Sequence, residues 1–139
     1  MSEPFVIPIG ASASEQVTVT RELTVAHFAP HMPEVYGTPL MIYLMELASA
    51  HAVTPFLPAG WVSVGTEVSV KHLAATPVGF LVTASATVIS VAGRSVSFAV
   101  QAHDGVELIG QGTHVRALVD LDRFNARVGS KRLAGPRTG

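Results

Sequence analysis

The chain has 139 residues, 48% of them hydrophobic and 14% charged, with a formal net charge of -1 and no cysteine. That length suits one domain, residues 1–139, around one real core. The charge balance argues against a nucleic-acid binder, and the missing cysteines exclude disulfides, thiolate metal sites and cysteine nucleophiles.

So low a charged fraction is expected where subunits cover one another, which predicts a homodimer or a dimer of such dimers. The opening MSEPFVIPIG lacks a basic segment followed by a long apolar run. No uncharged apolar run approaches the ~20 residues that cross a bilayer. The expectation is a cytoplasmic protein with no membrane partner.

Residues 1–14, rich in Pro, Gly and Ser, read as an irregular lead-in. Glu15–Val25 alternates with a period near two and reads as a strand. Ala26–Gly37 carries Pro30 and Pro33 and reads as a loop or lid. Thr38–Val53 is the one long helix, with Thr38 as N-cap and Pro39 in the first helical position, where no backbone donor is needed. Pro55 and Pro58 end it. Trp61–Ala75, Phe80–Val91, Ser95–His103 and Glu107–Leu121 have strand composition, with hairpin turns at Gly93 and Gly105. From Asp122 the chain is basic, and a short helix followed by a frayed end from residue 129 is expected.

The helix constrains the fold most. From Leu40 to Val53 its polar side chains are Tyr43, Glu46, Ser49 and His51 alone. A helix apolar nearly all round must be surrounded by protein. A long curved antiparallel sheet wrapped round a single helix does this, and the expected class is α+β with a hotdog architecture. An open α+β sandwich with its helix on one face is the second choice.

Glu46 needs a reason, because a lone carboxylate in an apolar helix costs several kcal/mol to bury unless paired or solvated. It is either a structural ion pair at a wet boundary or a carboxylate made basic by dry surroundings. His72 is either a strand histidine bonded to a carbonyl or a proton carrier, the second only if it converges with Glu46 on one pocket. Thr38 is most simply a cap; otherwise its hydroxyl holds substrate or water. Eight residues separate Thr38 from Glu46, about 12 Å along an ideal helix. The two therefore border a pocket from separate points, or one serves a partner subunit. His27 and His31 lie in proline-containing loop sequence and lack an HExxH-type partner, so a metal site is not expected.

Three segments, VYGTPLMIYLMELAS, GTEVSVKHLAATPVG and AHDGVELIGQGTHVRALVDLDRFNARV, together resemble the hotdog thioesterases related to fluoroacetyl-CoA thioesterase. The resemblance runs from about Pro33 to Val128. It implies a Thr, Glu and His catalytic set falling on Thr38, Glu46 and His72, with His72 facing the helix carboxylate. It also implies a glycine against the acyl group at Gly65 and an arginine lining the site at Arg116. The activity implied is hydrolysis of a small or short-chain acyl-CoA, with coenzyme A part of the substrate and no separate cofactor. The alternatives are a non-catalytic acyl-CoA or small-ligand binder on the same scaffold, and a hydratase, whose Asp/His pair is not found.

The lid departs from the family pattern. Met32 and Ala29 stand where the fluoroacetyl specialist carries bulky aromatics, with Phe28 and Tyr36 nearby. Fluoroacetyl selectivity is therefore not carried over, while Tyr36 and Met32 stay candidates for contacting substrate. Leu40, Met41, Met45 and Phe56 suggest either an apolar acyl pocket or plain core. Lys71, Arg94, Arg116 and the Arg-rich tail are the candidates for coenzyme A phosphates.

Overall fold

The computed structural model describes residues 3–137. In chain order its elements are β1 (Ser12–Thr18), a 3-10 turn (Arg21–Leu23), a four-residue helix α1 (Val25–Phe28) and the long helix α2 (Thr38–Val53). A second 3-10 turn (Thr54–Phe56) leads to β2 (Trp61–His72), β3 (Leu81–Ala92), β4 (Ser95–His103), β5 (Leu108–Asp120) and α3 (Leu121–Ala134). The strands form one antiparallel sheet in the order β1-β3-β4-β5-β2. It curls as a half-barrel around α2. The two strands that flank α2 in sequence therefore form the two edges. Among the described residues no helix is long and apolar enough to cross a membrane.

The core follows from two periodicities meeting. Every second residue of β3 (Val82, Ala84, Ala86, Val88) and of β4 (Val96, Phe98, Val100, Ala102) is buried, as a strand with one covered face requires. Against them α2 turns Met41, Leu44, Met45, Ala48, Ala52 and Val53. The alanines of β3 leave room for the helix to lie close, and α2 packs chiefly on β1 and β3. The burial is one-sided, however. Tyr43 is 57% exposed, and Ile42, Leu47 and Ala50 are only partly covered. The all-round enclosure expected of α2 is not completed within one protomer.

Three differences from the expected boundaries have a visible cause. β1 begins inside the supposed lead-in, because Ser12 to Thr18 pair residue for residue with Thr87 to Leu81; pairing to a neighbour overrides the weak strand preference of Ser and Ala. The same strand ends early. The Thr24 hydroxyl donates to the Arg21 carbonyl at 2.6 Å and closes a local turn, the kind of side-chain bond that competes with sheet. Finally, the tail is ordered helix to Ala134. Asp120 accepts from the Arg123 amide at 3.1 Å, Asp122 sits in the first turn, and Lys131 and Arg132 sit in the last. Those charges complement the helix dipole. The last expected residues of that tail, 138–139, lie outside the described part.

Two glycines fix how tightly β5 sits. A Cβ on Gly110 would lie 2.5 Å from the Met41 sulfur, whereas one on Gly112 would lie 2.1 Å from the Ser69 carbonyl oxygen. A flexible thioether yields; a strand backbone does not. Gly110→Ala should cost about 1–3 kcal/mol, the ordinary range for overpacking, and Gly112→Ala distinctly more. Chemical denaturation of both variants checks the order, and equal losses would contradict it.

Candidate active site

In a regular strand, Gly65 and His72, seven residues apart, would point to opposite faces. A bulge between Gly65 and Glu67 adds one residue and resets the phase. Both positions consequently face α2, but at two different points along it.

The first point is the start of the helix. Gly37, not Thr38, holds the N-cap position and offers no side-chain cap; Thr38 is the first helical residue, followed by Pro39. Freed from capping, the Thr38 hydroxyl turns to β2 and lies 2.6 Å from His72 Nδ1. The opposite ring nitrogen, Nε2, is buried and has no protein partner among the described residues. Burial holds the His72 imidazole below its ordinary value, with the Ala74 backbone opposing. The pair borders a cleft of about 370 Å³ whose walls include Tyr36, Leu73 and Ala74. Beside it is a wholly apolar cavity of about 310 Å³ lined by Val25, Phe28, Ala29, Gly37, Pro39 and Leu40. Val25 belongs to both.

The second point is two turns further along. A Cβ on Gly65 would stand 3.2 Å from His114 Cε1, 3.5 Å from Arg116 Nη1 and 3.5 Å from Glu46 Oε1. The missing side chain is what leaves those three groups a shared space. Arg116 is buried and held rigidly: Nε donates to Ser63 Oγ at 2.8 Å, Nη2 to the Ser63 carbonyl at 2.8 Å, and Nη1 to His114 Nε2 at 3.2 Å. Since Nε2 accepts from the guanidinium, Nδ1 carries the imidazole proton and donates to the Glu67 carbonyl at 2.8 Å. His114 is thereby a fixed neutral tautomer. Burial and then the Arg116 charge hold it below the ordinary value, against the Glu67 carbonyl and Glu46. Glu46 itself is half-buried. The ion pairs among the described residues are Arg21–Glu34, His51–Glu15 and Arg94–Glu3, so the Glu46 carboxylate is left without one.

Thr38 and His72 are therefore brought together, and Gly65, Glu46 and Arg116 are brought together, but the two groups are not joined within one protomer. Within one protomer His72 faces Thr38 rather than the helix carboxylate. About 23 Å of strand separates it from Gly65. The ring of Tyr36 borders the cleft, while its hydroxyl donates to the Leu40 carbonyl at 3.1 Å, and burial pushes its pKa up to about 12. Met32 is 43% exposed and lines neither cavity. Met41 and Met45 are core, Phe56 sits on the distant 3-10 turn, and only Leu40 of that set reaches the apolar cavity. Arg94 is engaged by Glu3 at 3.2 Å and by the Trp61 ring at 5.1 Å. Sequence reasoning passed over His114 and Ser63; the signal was His-x-Arg on a strand, which points both side chains to one face.

Comparison with known proteins adds to this geometry. The family model of FlK, the fluoroacetyl-CoA-specific thioesterase, matches residues 19–122. The fluoroacetyl-CoA thioesterase of Streptantibioticus cattleyicolor is 44% identical over 133 residues, covering 91% of this chain and 96% of that one. The solved FlK structure superposes with a TM-score of 0.84 at 42% identity, covering 91% and 98% of the two chains, and a variant of it has been solved with fluoroacetate and CoA. A thioesterase superfamily member of Thermus thermophilus gives a TM-score of 0.84 at 31% identity over 94% and 98%. With a hotdog sheet around α2 and a match over most of its length, the chain belongs to the FlK family of thioesterases.

Proposed function

We propose that this thioesterase hydrolyses a small or short-chain acyl-CoA, with Thr38, Glu46 and His72 as its catalytic groups. The observation that carries the reading is the Thr38–His72 pair on an open cleft, with His72 Nε2 buried and unengaged by protein. In the reaction Glu46 takes the proton from water as the water oxygen bonds to the thioester carbonyl carbon, or attacks that carbon itself to give an acyl-enzyme that water then hydrolyses; the carbon–oxygen bond forms and the carbon–sulfur bond breaks. The neutral His72 ring relays the proton taken from water to the departing thiolate, and Thr38 orients the ring or the carbonyl. The acyl group enters the apolar cavity formed by Val25, Phe28, Ala29 and Leu40. Gly65, Arg116 and the ring of Tyr36 act as substrate-binding groups, whereas Met32 stands outside these two cavities. No separate cofactor is required.

The active unit is inferred to be a homodimer. A carboxylate two helical turns from Thr38, about 12 Å along the helix, cannot serve the ring bonded to Thr38 in the same copy, yet β2 is an edge strand with Gly65 to Ser69 all exposed. Two β2 edges paired antiparallel about Val68 and Ser69 set His72 of one copy opposite Gly65 of the other, next to a second copy's Glu46. The same pairing lies beside the bare side of α2.

Three outcomes test this. Glu46→Gln and His72→Ala should each lower thiol release from short acyl-CoAs roughly 10²–10⁴-fold, and Thr38→Ala less; undiminished turnover in folded variants would sink the assignment. Mixing the Glu46→Gln and His72→Ala proteins should regain activity, because one intact site forms per mixed dimer; no regain would confine the site to one copy. Because the relay starts from a neutral His72 and burial holds its pKa below the ordinary imidazole value, the acid limb of kcat/KM should fall at lower pH than an ordinary imidazole would give. An acid limb at or above the ordinary imidazole position would contradict the lowered value.

A further inference from the structure

The turn between β4 and β5 holds a buried carboxylate that the proposed reaction does not use. Asp104 is 5% exposed. Its Oδ1 accepts from the Val106 and Glu107 amides, both at 3.0 Å, which is all that an Asx-type turn needs. The other oxygen, Oδ2, reaches out of the turn and accepts from the Thr76 hydroxyl at 2.9 Å, across 28 residues of sequence. Thr76 is fully buried. Its carbonyl accepts from the Tyr36 amide at 2.8 Å, and the next residue, Pro77, bridges to Val35.

The segment that Thr76 holds is the one that delivers Thr38. Tyr36 is anchored again by its hydroxyl on the Leu40 carbonyl, and the Gly37 amide donates to the Leu23 carbonyl at 2.9 Å. On the other side Thr76 is four residues from His72, in a stretch whose Leu73 amide donates to the Ile109 carbonyl at 2.7 Å. One hydrogen bond donated to Asp104 thus fixes Thr76, the residue that ties the Thr38 segment to the His72 segment. We propose that Asp104 is a positioning residue, holding the Thr38 hydroxyl and the His72 ring at their mutual distance through Thr76. The proposal rests on the catalytic reading above for its effect on turnover, but not for its effect on the pair itself.

The test uses the whole protein. Asp104→Asn strips the charge from the Oδ2–hydroxyl link and reverses its donor, Thr76→Val removes the link, and Thr76→Val leaves the Asp104 turn intact should the first variant fold poorly. Both should lower kcat about 10- to 100-fold, the scale of a small misplacement of a reacting group, with KM nearly unchanged. Thr76→Ser, which keeps the hydroxyl, should retain wild-type kcat, and the double variant should be no worse than the poorer single one. Nitrogen chemical shifts of the His72 ring, which report its bond to Thr38, should move in both singles. Unmoved His72 shifts, or a loss that merely follows the unfolded fraction, would overturn the proposal. If instead His72→Ala keeps full turnover, the catalytic reading fails while the ring shifts still decide whether Asp104 sets the pair.

Discussion

The bulge at Thr66 shifts the side-chain phase of β2 by one residue, and what α2 meets on that strand follows from the shift. Without it, a strand that offers Ser63 and Gly65 to the helix would turn His72 outward. With it, Ser63, Gly65, Val70 and His72 all serve the inner face. β-Bulges re-aim side chains at sheet edges, and β2 is an edge. The irregularity costs some ladder pairing and in return gives one strand two polar stations opposite one helix.

Those stations differ in electrostatic character. At the Gly65 station a guanidinium is anchored on three sides, an imidazole is locked neutral with its proton on Nδ1, and a carboxylate stands free of any ion pair. At the Thr38 station there are only a hydroxyl and a ring whose pKa burial lowers, which favours its neutral form. Buried charges are expensive unless satisfied, and here Ser63 and His114 satisfy Arg116, which leaves its field directed at the space beside Gly65. A charged station and a neutral one, each incomplete, suit a reaction in which one group must accept a proton that another returns.

Much of this was legible in the sequence. The helix from Thr38 to Val53 stood out because, from Leu40 on, four polar side chains in an apolar run admit one kind of environment. Strand β4 was bounded by a Gly turn at each end and came out at Ser95–His103. The pairing of Thr38 with His72 was not legible, because the helix cap lies one residue earlier than a Thr-Pro start suggests. A glycine cap has no side chain to advertise itself. Nor does a bulge announce itself: nothing in Gly65-Thr66-Glu67 distinguishes it from alternation, so the face of every residue after it was uncertain. Asp104 looked like an ordinary turn aspartate, and its second oxygen matters only because the fold brings Thr76 beside it.

The groups proposed to do chemistry are borne by α2, β2 and β5, whereas half of the apolar cavity's lining, Val25, Phe28 and Ala29, comes from α1 and its flank, the rest from Gly37 and the start of α2. On the proposed reading, selectivity is thus set in part by residues outside the elements that carry the chemistry. Exchanging Phe28 or Ala29 for a larger or smaller residue reshapes the chamber without disturbing the Thr38–His72 bond or the Arg116 anchor. A lineage built on this scaffold can drift from one acid to another by repainting a short stretch, keeping its machinery in place.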